Sequence, residues 1–316
     1  MRVLIADKAD PICARVFKDR GIEAVVKTGM KPEELKDFLP GFDGIVIRSA
    51  TTLTPEILKA AKGLKVAARA GIGVDNIDIP AASECGVLVM NTPFGNTVST
   101  AEHAIAMMFA LCRMIPAANQ STHAGKWEKN KFEGAEVFEK TLGIVGCGNI
   151  SSIVADRAKG LRMKVVVFDP VMTDARAEEL GVEKVPLDEL YQRADIITYH
   201  VGLNDKTRGM INKDAIARMK DGVRLINCAR GAIMAEEDIK AALESGKLAG
   251  IACDVYAKEP AKEHIFFNLP NAVLTPHIAA STVEAQINVA RQAAEQISDY
   301  LLTGKRANAL NGDKIK

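Results

Sequence analysis

Short apolar runs alternate with amphipathic stretches along most of this chain. Runs this short predict buried strands, and helical stretches between such strands predict a parallel sheet with helices on both faces. The first series of predicted strands comprises residues 3–7, 22–27, 44–48, 65–69 and 87–90. Helical patterns such as 32–39 and 55–62 separate these strands, so the first part of the chain predicts an α/β domain.

A second series of apolar runs follows a long helical stretch at residues 96–124. The apolar face of this stretch is too rich for a solvated helix, so we expect it at a domain or subunit interface, with an interruption at Pro116. The second series of predicted strands comprises residues 142–146, 164–168, 195–200, 223–227, 250–254 and 272–275. Six strands with helical links are typical of a dinucleotide-binding domain.

The two series predict two Rossmann-like α/β domains, each a doubly wound parallel sheet, with a cleft between them. The last helical pattern, residues 283–303, comes after the second series is complete. We expect this helix to return to the first domain, which makes that domain discontinuous. The predicted domains are therefore 1–95 with 283–316, and 96–282.

Composition narrows the class of protein. The 41 Lys and Arg residues nearly balance the 40 Asp and Glu residues, and a net charge of +1 gives no global attraction to nucleic acid or to a membrane. No apolar run approaches the length of a membrane span, and the N-terminus lacks the pattern of a signal peptide. The six cysteines are Cys13, Cys85, Cys112, Cys147, Cys228 and Cys253. Because no two of them form a CxxC pair, we expect a cytoplasmic protein without disulfides or a metal site.

A glycine turn follows the first predicted strand of the second domain. Gly146, Gly148 and Ser151 occupy the three positions of a GxGxxG fingerprint, with Ser in the last place. The first Gly permits a tight turn, the second lets the backbone approach a pyrophosphate, and the third lets the helix pack closely. We expect Ser151 to weaken the fit without abolishing binding. Asp169 ends the next strand, where a carboxylate binds ribose hydroxyls and repels a 2′-phosphate, which favours NAD over NADP.

Three polar residues follow apolar runs later in the same domain. They are Arg230 in INCARGA, Glu259 in DVYAKEP and His277 in LTPHIAAS. A guanidinium pairs with a substrate carboxylate and polarises the neighbouring carbonyl, and an imidazole exchanges protons near neutral pH. A carboxylate beside the imidazole holds it and favours its protonated form. The three residues together predict hydride transfer between a 2-hydroxy acid and the dinucleotide.

Taken together, these segments resemble the D-2-hydroxyacid dehydrogenase family over nearly the whole chain. The matching segments, in family order, are RSATTLT (48–54), RAGIGVDNID (69–78), VMNTP (89–93), GKWEKNKF (125–132), KTLGIVGCGNI (140–150), INCARG (226–231), DVYAKEP (254–260), TPH (275–277) and STVEAQ (281–286). RSAT and GKWE point to the phosphoglycerate branch of the family. The resemblance implies NAD-dependent oxidation of 3-phospho-D-glycerate to 3-phosphohydroxypyruvate, the first step of serine biosynthesis, by a homodimer or higher homo-oligomer.

The resemblance also assigns roles to individual residues. It implies that Arg230 binds the substrate carboxylate, that His277 is the acid and base, and that Glu259 is the partner of His277. The residues that it places at the cofactor are Gly146, Gly148, Asn149, Ile150, Asp169, Val201, Cys228, Ala229, Arg230, Asp254, His277, Ala279 and Ala280, with Asp254 holding the nicotinamide carboxamide. The residues that it places at the substrate are Arg230, Arg48 at the phosphate, Ile72 and Gly73 through their N–H groups, and Lys129 and Lys131 from the same or a neighbouring subunit. The first domain is then the substrate-binding domain and the second the NAD-binding domain.

Two other functions stay open. A glyoxylate/hydroxypyruvate reductase or another D-2-hydroxyacid dehydrogenase would use the same three residues, although Arg48, Lys129 and Lys131 favour a phosphorylated substrate. An NAD-sensing corepressor would be a binding protein, and turnover separates it from an enzyme. Longer relatives continue beyond the segment that RANALN (306–311) resembles into regulatory domains, so we expect this chain to show no inhibition by L-serine.

Several residues near these motifs receive a mainly structural interpretation. We expect His200 to line the cofactor cleft at most, His103 to face a helix interface, and Trp127 to pack beside the phosphate-facing segment. Cys147 is interpreted as a small filler, although a helix N-terminus could lower the pKa of its thiol. Ala235 stands where the family usually has an Asp that can cap the following helix.

Overall fold

The computed structural model describes residues 1–315, and the chain forms two compact units. Unit 1 comprises Met1–Asn96 together with Ser281–Lys316, and unit 2 comprises Thr97–Ala280. Each unit has a parallel sheet with helices, which confirms the predicted fold class of two parallel-sheet α/β domains. Helices and strands are numbered in chain order below.

Unit 1 has a five-stranded parallel sheet with the strand order β2-β1-β3-β4-β5. The strands are β1 (Arg2–Ile5), β2 (Glu23–Val26), β3 (Gly44–Ile47), β4 (Val66–Arg69) and β5 (Leu88–Met90). Each strand overlaps a segment that the apolar runs predict. All four residues of β3 are buried, as expected for a central strand covered on both faces.

The helices of unit 1 cover both faces of this sheet. They are α1 (Ile12–Asp19), α2 (Pro32–Phe38), α3 (Pro55–Ala60), α4 (Ile79–Glu84) and α12 (Val283–Thr303). Successive residues of β1 enter opposite cores, because side chains alternate along a strand. Leu4 packs in the cluster formed with α2, α3 and α4, whereas Val3 and Ile5 pack in the cluster formed with α1 and α12. The bounds of α12 match the predicted helix 283–303.

Unit 2 has a seven-stranded parallel sheet with the strand order β12-β11-β10-β9-β6-β7-β8. The strands are β6 (Thr141–Val145), β7 (Lys164–Phe168), β8 (Glu183–Lys184), β9 (Ile196–Tyr199), β10 (Val223–Asn227), β11 (Leu248–Cys253) and β12 (Ala272–Leu274). The prediction of six strands is wrong by one, because β8 was missed. Both residues of β8 are exposed, so this edge strand leaves no apolar run in the sequence.

The helices of unit 2 begin with a bent pair. They are α5 (Thr97–Cys112), α6 (Ile115–His123), α7 (Asn149–Gly160), α8 (Asp174–Leu180), α9 (Leu187–Arg193), α10 (Lys213–Arg218) and α11 (Glu236–Glu244). The chain bends by 64° between α5 and α6, where Met114 has a left-handed φ of 53°. Pro116 lies in the first turn of α6, where its missing N–H removes no helical hydrogen bond. The predicted interruption of the helical stretch is therefore present, but it lies at Arg113 and Met114, and Pro116 itself belongs to the start of the second helix.

Helix α5 is a core helix of unit 2. Its buried Ala104, Met107 and Met108 belong to the same apolar cluster as Val154 and Ala155 of α7. The apolar face that predicted a domain or subunit interface is therefore used largely within unit 2. No single helix in residues 1–315 is long and apolar enough to span a membrane, and α5 and α6 pass that test only when the bent pair is counted together.

Candidate active site

The carboxyl ends of neighbouring parallel strands lie side by side at one edge of the unit 2 sheet. The register aligns Phe168, Val145, Tyr199, Asn227, Cys253 and Leu274 across six strands. The segments that follow these strand ends contain the predicted glycine turn, Asp169, Arg230, Glu259 and His277. Because all the strands run in the same direction, one sheet edge collects residues that are far apart in the sequence.

Gly146 forms the tight turn that follows β6. Its φ is +87°, and a Cβ at this position would lie 2.8 Å from the carbonyl oxygen of His200. The same Cβ would lie 2.8 Å from Cγ1 of Val201, so Val201 borders the turn. Only glycine combines this backbone conformation with this close approach.

Gly148 and the start of α7 form the second part of the turn. A Cβ on Gly148 would meet no atom within 4 Å, so there is open space beside the backbone. Helix α7 begins at Asn149 and Ile150, and the N–H groups of a first helical turn attract anions. Ser151 is fully buried, and its hydroxyl donates to the carbonyl of Gly148 at 3.1 Å. The residues present therefore fit a dinucleotide pyrophosphate, with Ser in place of the third glycine.

Asp169 is tied to the glycine turn through its carboxylate. Its Oδ2 accepts from Cys147 N at 2.7 Å, and its Oδ1 accepts from Val171 N and Met172 N at 2.8 and 3.1 Å. Burial raises the pKa of the Cys147 thiol, and the charge of Asp169 raises it further. The suggested lowering of this pKa by the helix N-terminus is therefore wrong, and the interpretation of Cys147 as a filler agrees with the structure.

His277 and Glu259 form a direct pair. Nδ1 of His277 lies 2.6 Å from Oε2 of Glu259, and Oε1 of Glu259 accepts from Tyr256 N at 2.9 Å. The backbone of His277 has a left-handed φ of 55°, and its N–H donates to Thr275 O at 3.1 Å. The side chains of His277 and Glu259 are 49% and 34% exposed, so the protein holds the pair without enclosing it. With Nδ1 against the carboxylate, Nε2 is the imidazole atom available for proton exchange.

Arg230 follows β10 and is placed by Asn227. The Asn227 side chain accepts from Ala229 N at 3.0 Å and donates to Arg230 O at 2.9 Å. Nη1 of Arg230 donates to Ala229 O at 2.7 Å. A Cβ on Gly231 would lie 1.9 Å from the carbonyl carbon of Tyr256, so the arginine turn packs directly on the segment that leads to the paired carboxylate.

Asp254 is fully buried and holds the chain around His277. Its Oδ1 accepts from Thr275 Oγ1 at 2.6 Å and from Ile278 N at 2.8 Å, and its Oδ2 accepts from Ala279 N at 2.8 Å. Burial raises the pKa of Asp254, but hydrogen bonds from His103, Thr275 and the two backbone amides outweigh burial and lower it. Asp254 is therefore an anion whose two oxygens already bind its own chain.

His103 reaches this network from helix α5. Its Nε2 lies 3.1 Å from Thr275 Oγ1 and 3.5 Å from Asp254 Oδ1. Because the Thr275 hydroxyl donates to Asp254, the network assigns the proton to Nε2 of His103, which donates to Thr275. His103 therefore contacts Thr275 and Asp254 at the sheet edge and not the helix interface that was expected. Sequence reasoning also missed the supporting roles of Asn227, Tyr256 and Thr275.

His200 and Cys228 follow the carboxyl ends of β9 and β10. Burial lowers the pKa of His200 to about 4, and its Nε2 lies 2.9 Å from Thr198 Oγ1. Burial raises the pKa of the Cys228 thiol, and the charge of Asp254 adds to this effect. Both side chains are therefore neutral near pH 7, which supports the structural interpretation of His200.

Arg48 lies at the end of β3 in unit 1. Its N–H donates to Asp7 Oδ2 at 2.5 Å, and its Nη1 donates to Lys8 O at 3.0 Å. Among the described residues, its buried Nε has no hydrogen-bond partner. Burial lowers the pKa of Arg48, and Asp7 opposes this effect. A half-buried guanidinium with an unused donor is suited to bind an anion.

The turn at Ile72 and Gly73 is held by its carbonyl groups. Ile72 O accepts from Asn91 Nδ2 at 2.7 Å, and Gly73 O accepts from Arg69 Nη1. These contacts fix the turn whose N–H groups the family resemblance assigns to the substrate. The turn lies in unit 1, as Arg48 does.

Lys129 and Lys131 lie in unit 2, in an exposed 3₁₀ turn, Lys129–Lys131. Nζ of Lys131 pairs with Glu128 Oε1 at 2.7 Å. Trp127 is 86% exposed, so the expectation that it packs beside this segment is wrong. Within residues 1–315, no group of His, Cys, Asp and Glu side chains could hold a metal ion.

Comparison with known proteins agrees with this geometry. Residues 105–279 match the family model described as D-isomer specific 2-hydroxyacid dehydrogenase, NAD binding domain. The chain is 46% identical over 310 residues to a D-3-phosphoglycerate dehydrogenase of Synechocystis sp., and the match covers 98% of this chain and 56% of the relative. The chain spans 56% to 60% of the length of the curated relatives that it matches at 42% to 46% identity.

Solved structures of similar fold cover nearly the whole chain. The TT0316 protein from Thermus thermophilus has a TM-score of 0.90 and 32% identity, and the match covers 98% of this chain and 100% of that chain. A glyoxylate reductase from Paecilomyes thermophila has a TM-score of 0.92 and 28% identity, with 99% of each chain covered. Both units of the chain are therefore shared with these proteins.

Proposed function

We propose that this chain, which belongs to the D-isomer specific 2-hydroxyacid dehydrogenase family, oxidises 3-phospho-D-glycerate to 3-phosphohydroxypyruvate with NAD. The observation that carries the proposal is the pair of His277 Nδ1 and Glu259 Oε2 at 2.6 Å, where the segment leading to Glu259 packs against the turn of Arg230. The similarity to D-3-phosphoglycerate dehydrogenases supports the choice of substrate.

The glycine turn of unit 2 is the proposed NAD site. Gly146 and Gly148 would admit the pyrophosphate, and the N–H groups of Asn149 and Ile150 would bind it. Asp169 would accept hydrogen bonds from the adenosine ribose and repel a 2′-phosphate. The proposed lining is completed by Val201, Cys228, Ala229, Asp254, Ala279 and Ala280. Bound NAD supplies one chemical capability, the acceptance of a hydride at its nicotinamide ring.

The three catalytic side chains divide the remaining work. Arg230 would pair with the substrate carboxylate and polarise the carbonyl that forms at the 2-carbon. Nε2 of His277 would take the proton of the 2-hydroxyl group as the hydride leaves that carbon. Glu259, already against Nδ1, would stabilise the imidazolium that results.

The phosphate group is the proposed basis of substrate choice. Arg48 would bind it through its half-buried guanidinium, and Ile72 and Gly73 would offer N–H groups to the substrate. Lys129 and Lys131 would add positive charge from their exposed turn.

The exposed Trp127 in the same segment supports a homodimer or higher homo-oligomer in which this segment meets a second copy. Analytical ultracentrifugation of the wild-type chain and of Trp127→Ser tests this assembly.

The cellular setting is part of the proposal. The cysteines of the described chain are free thiols, which supports a reducing, cytoplasmic location. The proposed product would be the entry compound of serine biosynthesis. Fractionation of cells that express a tagged chain tests the location.

The test of function is a panel of specificity constants. Initial rates would be measured for 3-phosphoglycerate, glycerate and lactate with NAD and NADP, and for glyoxylate with NADH and NADPH. We expect the highest kcat/KM for 3-phosphoglycerate with NAD. A preference for glyoxylate would favour the reductase alternative, which the fold similarity to a glyoxylate reductase supports. Tight NADH binding without turnover of any substrate would favour an NAD-sensing binding protein.

A further inference from the structure

Tyr256 contacts each of the three segments that carry the proposed catalytic residues. It lies two residues after Asp254, at the carboxyl edge of the unit 2 sheet, and is 9% exposed. Neither the glycine fingerprint nor the Arg-Glu-His pattern involves this residue. Its contacts, however, connect the chain on both sides of the site.

The phenol hydroxyl of Tyr256 reaches the histidine segment. It donates to Thr275 O at 3.0 Å, and the same carbonyl accepts the backbone N–H of His277 at 3.1 Å. Burial raises the pKa of Tyr256 to about 12, and the nearby Cys253, Asp254 and Glu259 add to this effect. The hydroxyl therefore keeps its proton and remains a donor at the pH where the enzyme would work.

The backbone of Tyr256 reaches the other two segments. Its N–H donates to Oε1 of Glu259 at 2.9 Å, so it fixes the carboxylate oxygen that does not meet the imidazole. A Cβ on Gly231 would lie only 1.9 Å from the carbonyl carbon of Tyr256. The backbone of Tyr256 therefore also packs directly against the turn of Arg230.

The ring of Tyr256 is itself held in place. The ring of His264 stands edge-on to it, with centroids 5.0 Å apart and an interplanar angle of 74°. Nδ1 of His264 accepts from Phe266 N at 3.3 Å, and its Nε2 lies 3.1 Å from Oε1 of Glu236 at the start of α11. The ring of Tyr256 therefore packs on His264, which is itself held by Phe266 N and by Glu236 of α11.

We propose that Tyr256 is a positioning residue, a clamp that sets the backbone of His277 relative to Glu259 through its hydroxyl bond to Thr275. The proposal rests on the proposed dehydrogenase function, because it assigns Tyr256 a role in placing the acid and base of that reaction. The role needs no contact between Tyr256 and the substrate. It predicts that removal of one oxygen atom changes both the local mobility of the histidine segment and the rate of the reaction.

The kinetic test is Tyr256→Phe, which keeps the ring and removes the hydroxyl. We expect kcat to fall about fivefold, the equivalent of one neutral hydrogen bond of about 1 kcal/mol, while KM for NAD stays within about twofold. In a His277→Ala background the same change should leave the residual rate unaltered, because the clamp acts only through His277. Tyr191→Phe is the matched control, since it removes a buried hydroxyl elsewhere in unit 2, and its kcat should equal that of the wild type.

The second test does not depend on activity. Hydrogen–deuterium exchange of the cofactor-free protein would be followed in peptides that contain residues 275–280. We expect Tyr256→Phe to exchange about fivefold faster in this segment, by the same loss of about 1 kcal/mol, and Tyr191→Phe to match the wild type there.

The outcomes separate this inference from the proposed function. The clamp is supported if Tyr256→Phe exchanges faster in residues 275–280, lowers kcat in the wild-type background and leaves the rate unchanged in the His277→Ala background. Exchange equal to the wild type, an unchanged kcat, or a further loss of rate in His277→Ala overturns it. A wild-type chain that turns over no 2-hydroxy acid refutes the proposed function and the reaction-positioning role with it, whereas faster exchange alone then still demonstrates the hydroxyl contact.

Discussion

At the scale of the residue, the polar side chains of the candidate site differ in how many of their atoms are already bonded within the chain. Nδ1 of His277 faces Glu259 at 2.6 Å, which leaves Nε2 for the proposed proton exchange. Asp254 is the opposite case, because both of its oxygens are held by Thr275 and the amides of Ile278 and Ala279. Its predicted contact with the nicotinamide carboxamide stays a prediction, whereas its support of the histidine segment is a feature of the structure.

The first prediction concerns His277. His277→Ala should lower kcat by about 10²–10⁴-fold, because the proton acceptor is lost, while the affinity for NADH changes little. Steady-state rates and a fluorescence titration of NADH on one preparation check both parts. Glu259→Gln is the companion variant, since it keeps a hydrogen-bonding side chain and removes the charge, and its loss should be smaller. Near-normal turnover of His277→Ala would refute the role.

The second prediction concerns Arg48. Arg48→Ala should reduce kcat/KM for 3-phosphoglycerate by about 1.5–3 kcal/mol of transition-state binding, the value of a charge-assisted contact. The unphosphorylated glycerate should lose much less, because it lacks the group that the guanidinium would bind. Arg48→Lys keeps the charge without the forked guanidinium geometry, so its kcat/KM for 3-phosphoglycerate should lie between those of the wild type and Arg48→Ala. An equal loss for both substrates would show that Arg48 is structural and would weaken the choice of substrate.

The third prediction concerns Asp169. Asp169→Asn should reduce the preference for NAD over NADP at least about fivefold, because a like-charge contact at a partly exposed site costs about 1–4 kcal/mol. Asn can still accept from Cys147 N, so the glycine turn should remain in place. The measurement is the ratio of kcat/KM for the two cofactors. A wild-type enzyme that uses both cofactors equally would contradict the role of this carboxylate.

At the scale of the element, helix α11 shows what a missing cap costs. Ala235 is its N-cap residue and provides no side-chain hydrogen bond, so only the acidic Glu236, Glu237 and Asp238 favour the helix N-terminus. Ala235→Ser should therefore raise the free energy of unfolding by about 0.5–1 kcal/mol. Urea unfolding followed by circular dichroism measures the change.

The control for this prediction uses the same substitution in the same helix. Ala241 is exposed in the interior of α11, where a hydroxyl finds no free helical N–H. Ala241→Ser should lower the free energy of unfolding by about 0.5 kcal/mol, through helix propensity alone. If both variants shift stability in the same direction, the effect is not capping.

Most helices and strands are predictable from the sequence, but some boundaries and one strand are not. The strands are predictable because a strand buried on both faces leaves a continuous apolar run, as in the fully buried β3. Strand β8 leaves no such run, and the bend at Met114 depends on a single left-handed backbone angle that no residue type announces. Pro116 correctly indicates a helix boundary, but the residue itself lies in the first turn of α6, after the break.

At the scale of the whole molecule, the sequence predicts the main polar side chains of the candidate site but not the residues that hold them in place. Arg230, Glu259 and His277 are found by residue type at the ends of apolar runs, because parallel strands bring their carboxyl ends together. His103 and Thr275 are 172 residues apart and meet only when α5 packs on the unit 2 sheet. Asn227 and Tyr256 act largely on backbone atoms, which carry no sequence signature.

The last prediction concerns acid stability. Burial lowers the pKa of His200 to about 4, below its ordinary value of about 6.5, so the unfolded chain binds this proton more readily between those pH values. The contribution of His200 to the free energy of unfolding is therefore complete above about pH 6.5 and declines as the pH falls toward 4, by up to about 3 kcal/mol. The lowered pKa of Asp254 acts in a separate window, because its contribution is present above about pH 3.8 and is lost as the pH falls through its folded pKa.

Urea unfolding at a series of pH values between 7.5 and 3 distinguishes these two windows. His200→Asn is neutral throughout, so it should remove the decline between about pH 6.5 and 4 and retain the steep loss at lower pH. His123→Asn is the matched control, because His123 is exposed at the end of α6, and it should follow the wild-type curve. If His200→Asn keeps the full decline above pH 4, the acid sensitivity of the protein arises from other groups and the neutral state of His200 is not its cause.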